Sequence, residues 1–449
     1  MSHRPPALLD ELAWRGLLYQ HTDGLGEALA RGPVAGYCGF DPTAASLHVG
    51  SLVPVMALVH LQRAGHRPVA LVGGGTGMIG DPSGKTAERQ LLTPEKVEEN
   101  VRGIAGQLAR FLDFTGRRGA VMRDNADWLL DRGLISFLRD IGKHFTVNYL
   151  LQKEAVQSRL GSEAGISYTE FSYVLLQAYD FLELYRRDGV TLQLGGSDQW
   201  GNITAGTTLV RRVEGAEVHA LTLPLVTNAS GRKFGKSEAG QNVWLDPALT
   251  SPYQFYQFWI NADDRDVPTY LRYITLLTRE EVEALERAAG EHPERREAQR
   301  ALAHDVTVRV HGEEAARAAE EVSGLLFGKA DPSSLSPAAL EMLRAEVPFV
   351  EVPAPTLQGS SAEQAPDDAK AVGGQDGTGL DVIELVVVAK LAPSRGAAKR
   401  LLEQGGVSVN GRRLSAADRQ VSLDALLPGR HLLLRKGGRE YALVRVGEL

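Results

Sequence analysis

Five short segments of this 449-residue sequence carry side chains able to grip charged or hydroxylated ligands. In the first, Tyr37-Cys38-Gly39-Phe40-Asp41-Pro42-Thr43 leads to His48-Val49-Gly50-Ser51, at the expected opening of a helix over Leu52–Ala64. An imidazole and a close-approaching glycine at a helix N-terminus suit a nucleotide phosphate chain, because backbone donors and the helix dipole favour anions there. His-x-Gly alone is a weak signal. The second segment runs from Gly73-Gly-Gly-Thr-Gly77 through Asp81 to Lys85 and Arg89. It reads as a cationic loop able to fold over phosphates, or equally as a flexible surface turn. It is not a Walker loop, since Ile79 stands where that pattern needs its first glycine.

The third segment, Tyr168 to Phe181, puts Tyr173, Gln177 and Asp180 at i, i+4 and i+7, on one face of a mostly apolar helix. Polar groups there must be satisfied, either by a polar ligand or by capping the edge of a core. The fourth, Leu192 to Asn202, ends a strand in Gly195-Gly196 and continues as Ser197-Asp198-Gln199. Asp198 is suited to ribose hydroxyls, although a turn capped by Ser197 or Asp198 explains the residues as well. The fifth, Gly231 to Ser237, brackets Phe234-Gly235 with Lys233 and Lys236. This is a compact cationic loop of use where a leaving group gathers negative charge, or else a basic surface turn.

Positioning these groups requires a scaffold, and its pattern is visible. Between Tyr37 and Val226, apolar runs such as Pro68–Val72 alternate with glycine-rich turns and helical stretches, which predicts a doubly wound, parallel-sheet, Rossmann-like α/β domain over residues 1–226. A loop region over 227–250 carries the lysine motif, and a helical domain is expected over 251–351. Residues 352–379 are rich in Pro, Gly, Ser and Asp and poor in large apolar side chains, the composition of a linker. Residues 380–449 resume apolar periodicity as a small α+β module.

The net charge of -7 argues against a surface coated everywhere for nucleic acid. From Asp381 onward, however, 12 Lys/Arg stand against 7 Asp/Glu, an excess that suits phosphate contacts or a solvated face. One cysteine, Cys38, permits no internal disulfide, and no Cys/His group has metal-ligand spacing. With no signal-type apolar start and no long apolar run, a metal-free cytoplasmic protein is expected, without membrane contact.

Taken in order and spacing, the five segments resemble the signature set of class I aminoacyl-tRNA synthetases, specifically the tyrosyl-tRNA synthetase family. His48-Val-Gly-Ser51 stands where the class carries H-I-G-H, with Ser51 departing from the second histidine, and Lys233-Phe-Gly-Lys-Ser237 stands where it carries K-M-S-K-S. The run Leu391 to Gly411 is similar to an RNA-binding module of ribosomal-protein type, in which a helix bearing Arg395, Lys399 and Arg400 precedes a hairpin. The resemblance implies activation of L-tyrosine with ATP, accompanied by Mg2+, to tyrosyl-adenylate, transfer to the 3' end of tRNA(Tyr), and a homodimer. It places the substrate phenol against Tyr37 and Asp180, its ammonium group against Asp81, Tyr173 and Gln177, and its carboxylate near Gln199. ATP would meet Cys38, Gly39, Asp41, His48, Gly50, Gly196, Asp198 and Lys236, while Thr43, His48, Lys85, Arg89, Lys233 and Lys236 would hold the departing phosphates. Tryptophanyl enzymes are the nearest alternative, and they lack a phenol for the Tyr37/Asp180 pair to meet.

Overall fold

The computed structural model describes residues 7–81, 91–153, 156–157, 160, 165–229, 231, 234–235, 240–327, 330–353 and 379–447. The chain forms two compact units, residues 1–250 with 258–310, and residues 251–257 with 311–449.

The first unit is built on a six-stranded sheet of β1 (Gln20–His21), β2 (Ala35–Phe40), β3 (Arg67–Val72), β4 (Val121–Asp124), β5 (Val190–Gly196) and β6 (His219–Leu223), in the order β1-β6-β5-β2-β3-β4. All neighbours are parallel except β1, which pairs antiparallel with β6. Parallel strands are covered on both faces, which is why β3 and β6 are apolar runs buried almost throughout. The helix Leu52–Arg63 is buried on nearly every side, as its lack of a polar face requires. The helix Tyr168–Asp188 starts where the Ser167 side chain accepts the Glu170 N–H, and stops at Gly189, whose φ of 65° suits glycine. Its inward face packs Val174, Ala178, Phe181 and Leu182 into the core with Tyr37, Val69 and Leu71. The strand order reverses beside β2, so β2 and β5 open a crevice at their carboxyl ends, the usual ligand position in such sheets.

The second unit contains β7 (Phe349–Val352), β8 (Gly379–Asp381), β9 (Val407–Val409), β10 (Arg412–Arg413), β11 (Gln420–Ser422), β12 (His431–Lys436) and β13 (Glu440–Val446). Five of these form a sheet in the order β10-β9-β12-β13-β7, and β8 pairs with β11. Leu325, Leu335, Leu340 and Leu343 share a core with Leu433, Tyr441 and Leu443 of that sheet.

The expected helical domain over 251–351 is therefore divided. Helices Val267–Ile274 and Arg279–Glu291 fall in the first unit, where buried Arg15 donates to the carbonyls of Arg272, Thr275 and Leu277. Helices Glu313–Leu326 and Pro337–Glu346 fall in the second. Residues 349–352, assigned from the sequence to the end of the helical domain and the start of the linker, form β7, which pairs parallel with β13. Gly379 likewise lies in β8, so both ends of the expected linker are strand residues, and 354–378 lie outside the described residues. No helix among the described residues is long and apolar enough to cross a membrane.

Candidate active site

A pocket of about 220 Å³ opens at the carboxyl ends of β2 and β5, beneath the Tyr168–Asp188 helix. At its floor Tyr37 and Asp180 are both buried. The Tyr37 hydroxyl has no hydrogen-bond partner among the described residues, an orphan that a ligand hydroxyl could satisfy. Asp180 accepts Trp128 Nε1–H on Oδ1 at 2.8 Å and Asn125 Nδ2–H on Oδ2 at 2.9 Å. Burial pushes its carboxyl up to about 8, these two donors oppose the rise, and Asp41 and Asp124 add to it. Burial, with Asp180 nearby, likewise lifts the Tyr37 phenol well above its ordinary value and keeps it a donor. The carboxamide of Gln193 also lines this pocket, its Oε1 buried and without a partner among the described residues.

Toward the mouth the polar groups form a connected net. Tyr173 Oη donates to Asp41 Oδ2 at 2.8 Å and Thr76 Oγ1 donates to Asp41 Oδ1 at 2.9 Å. A side chain at Gly73 would put its Cβ 2.4 Å from both Asp41 Oδ1 and Thr76 Oγ1, so this contact requires glycine. Gln199 Nε2 donates to Asp81 Oδ2 at 2.7 Å, and Asn202 Nδ2 donates to Gln177 Oε1 at 2.9 Å and Gln199 Oε1 at 3.3 Å. Four carboxyls, those of Asp41, Asp81, Asp180 and Asp198, thus border a small pocket, and the ionised ones among them favour a ligand with a cationic group.

A second cavity of about 710 Å³ shares Gly39, Asp41, Asp81, Gly196 and Asp198 with the first. Its wall includes Thr43, His48, Gly50 and Leu225. His48 caps the turn Val49–Ser51, its Nδ1 accepting the Gly50 N–H at 3.0 Å. A backbone N–H can only meet an unprotonated Nδ1, so the neutral ring carries its proton on Nε2, as a donor. Phe234 and Gly235, the centre of the lysine motif, lie against this turn: a Cβ on Gly235 would be 3.1 Å from the Gly50 nitrogen. Phe234 is anchored by its N–H on the Val226 carbonyl and by its ring among Phe258, Trp259 and Tyr270.

Residues 29–328 match the family described as tRNA synthetases class I (W and Y), and residues 363–444 match the tyrosine–tRNA ligase SYY-like C-terminal domain. Curated relatives include the tyrosine–tRNA ligase of Anaeromyxobacter dehalogenans, 51% identical over 98% of this chain and 99% of its own length. That of Bacillus caldotenax is 49% identical over 98% and 99%. The chain belongs to the tyrosine–tRNA ligase family of class I synthetases. Among solved structures, a truncated mitochondrial tyrosyl-tRNA synthetase of Aspergillus nidulans superposes with a TM-score of 0.66 at 28% identity, covering 72% of this chain and 94% of that one.

Against that family, the expected tyrosine residues Tyr37, Asp81, Tyr173, Gln177, Asp180 and Gln199 all line the smaller pocket. Cys38, Gly39, Asp41, Gly196 and Asp198 line it too, and all of these but Cys38 also border the larger cavity. Asp41, expected on the ATP side, is bound to Tyr173 at the junction. Lys85, Arg89, Lys233 and Lys236 lie outside the described residues. On the synthetase's C-terminal unit, Arg395, Lys399 and Arg400 are exposed on the helix Arg395–Glu403, with Arg395 paired to Glu384. The following hairpin turns through Asn410 and Gly411, at φ of 48° and 82°, the left-handed pair that a two-residue turn demands.

Sequence reasoning missed Thr76, Asn125, Trp128 and Gln193. Asn125 directly follows β4, so the carboxyl-edge rule was an available signal for it. Nothing local marks Trp128.

Proposed function

We propose that the smaller pocket binds L-tyrosine and the larger cavity ATP, and that the chain performs the tyrosine–tRNA ligase reaction across their junction. The observation that carries this reading is the buried Tyr37 hydroxyl, orphaned beside a carboxylate held by two fixed donors. A phenol placed there accepts from Tyr37 and donates to Asp180, whereas a phenyl ring strands both groups. The ligand ammonium group meets Asp81, Tyr173 and Gln177, with Asp41 behind Tyr173. Gln199 lies near the ligand carboxylate.

ATP enters as its magnesium complex, the ion held by phosphate oxygens and water. Its ribose lies at Gly196 and Asp198, and its adenosine end passes Cys38 and Gly39. The tyrosine carboxylate oxygen attacks the α-phosphorus in line, the bond to the β-bridging oxygen breaks, and pyrophosphate leaves. No protein base is needed, because the nucleophile is already ionised. What the chain supplies is positioning and charge stabilisation, from Thr43, His48, Gly50, Lys85, Arg89, Lys233 and Lys236. A ribose hydroxyl at the 3' end of tRNA then attacks the adenylate carbonyl, and AMP departs. The strands and helices of the C-terminal unit hold the tRNA backbone through Arg395, Lys399 and Arg400.

The protein works in this reading as a cytoplasmic homodimer, the compartment being the one where charged tRNA is consumed. The exposed apolar side chains Leu130, Leu134, Ile135, Leu138 and Val147 support a second copy as the covering partner. Pyrophosphate exchange with each of the twenty amino acids offered singly tests the function. Exchange with tyrosine alone is expected; exchange with tryptophan would move the substrate assignment, and silence in folded protein would end it.

A further inference from the structure

Directly beyond the lysine motif, residues 243–246 run antiparallel to residues 46–49. Val49 N–H donates to the Val243 carbonyl and Leu245 N–H to the Leu47 carbonyl, both at 2.9 Å. His48 and Trp244 are the opposed pair between these two bonds. In such a pair the backbone bonds flank the residues instead of joining them, so the two Cα atoms come closest and the side chains share one face. The rings meet accordingly, edge to face, with centroids 6.2 Å apart and planes at 69°. Trp244 is itself fixed, its N–H donating to Thr250 Oγ1 at 3.0 Å. The ribbon is tied further by Asp246 N–H on Ser46 Oγ, at 3.1 Å, and by Gln107, which holds both Ser46 Oγ and the Leu47 N–H.

We propose that Trp244 is a positioning residue for adenylate formation, holding the His48 imidazole at the angle from which it meets the ATP phosphates. This rests on the reading of His48 as a phosphate contact. The Gly50 N–H fixes one ring nitrogen and therefore the tautomer. The indole packed edge to face with the imidazole restricts rotation of that ring. Because Trp244 and Gly235 both touch the His48 turn, the ribbon also ties the backbone beside Lys233 and Lys236 to the imidazole.

The test is a double-mutant cycle in the full-length protein, read by pyrophosphate exchange and by the equilibrium Kd for tyrosine. His48→Ala should slow exchange by about tenfold or more; if it does not, the phosphate reading of His48 fails, whatever Trp244 does. Trp244→Ala and Trp244→Leu should each slow exchange by about tenfold with tyrosine Kd unchanged, and Trp244→Phe, which keeps a ring, should recover most of the loss. In the His48→Ala background, Trp244→Leu should cost nothing more. Equal loss in both backgrounds would mean that Trp244 acts on ATP or on the fold independently of His48, and would overturn the proposal. Full activity of Trp244→Leu would overturn it as well. Leucine fills much of the indole's space, so a cycle on that variant separates ring orientation from simple loss of packing.

Discussion

Replacing Asp180 by asparagine separates the strain this carboxyl places on the fold from its service to the ligand. Burial lifts the group from the usual 3.8 to about 8, against the pull of the Asn125 and Trp128 donors. A carboxyl whose folded value exceeds its unfolded one is harmless below about pH 4, and weakens the fold steadily until the pH passes about 8. Across that window the penalty grows to on the order of 5 kcal/mol, at about 1.36 kcal/mol per pH unit. Asparagine removes the charge but offers one acceptor to two donors, leaving an Asn125 or Trp128 N–H unbonded at about 1–3 kcal/mol. Asp180→Asn should therefore gain stability of about 2–4 kcal/mol near pH 8.5, and the gain should vanish or reverse near pH 5. Tyrosine binding moves the other way. At pH 8.5, where the carboxyl is ionised, losing a charge-assisted bond of about 1.5–3 kcal/mol weakens tyrosine about 10- to 150-fold, while phenylalanine, which never made that bond, is little affected. Urea unfolding from pH 5 to 8.5 and equilibrium titration with both amino acids measure the two effects. A stability difference independent of pH, or phenylalanine affinity falling in step with tyrosine, would refute the reasoning.

Trp128→Phe removes one of the two donors to Asp180 with little change of shape, and should raise tyrosine Kd by about tenfold without altering the KM for ATP, by steady-state exchange. Lys236→Ala should leave tyrosine Kd unchanged and slow single-turnover adenylate formation by about 100-fold, the loss of one cation aimed at developing charge. The triple replacement of Arg395, Lys399 and Arg400 by alanine should spare pyrophosphate exchange, weaken tRNA binding, and flatten the salt dependence of that binding by up to about three phosphate contacts. An unchanged salt slope would remove these residues from the RNA interface.

The sheet was legible because parallel strands are buried on both faces and so read as unbroken apolar runs, as Val69 to Val72 does. Tyr173, Gln177 and Asp180 were legible because helical spacing alone puts them on one face. Trp128 was not, and Asn125 carried only the signal of directly following β4. Their contact with Asp180 depends on β4 lying next to β3, and the order of strands in a sheet is a long-range outcome that no local pattern records. Periodicity likewise announced helices after Ser251 but not which core each would join, since an apolar stripe names no partner. The strand Phe349–Val352 failed for the same reason: its partner β13 comes at the far end of the chain, and without that partner in view it read as the margin of a linker. Trp244 belongs to this class too, unmarked in its own segment and informative only once paired with His48.

Charge bears on how the proposed substrates divide between the two cavities. Asp41 and Asp81 border the smaller pocket, and a unit charge about 4 Å from a carboxylate feels roughly 4 kcal/mol at an effective dielectric near 20. A triphosphate cannot settle there, and an amino-acid zwitterion can settle in only one sense, with its ammonium group toward Asp81 and Asp41 and its carboxylate turned outward. The larger cavity shares Gly39, Asp41, Asp81, Gly196 and Asp198 with the smaller, so the acids stand at the junction, which the ribose end of ATP approaches in the proposed arrangement. In the proposed arrangement the β- and γ-phosphates lie toward the wall that Thr43, His48 and Gly50 contribute to the larger cavity. In that arrangement the repulsion that keeps the phosphates out of the smaller pocket also turns the substrate carboxylate toward the α-phosphorus, so that specificity and alignment would come from one arrangement of acids.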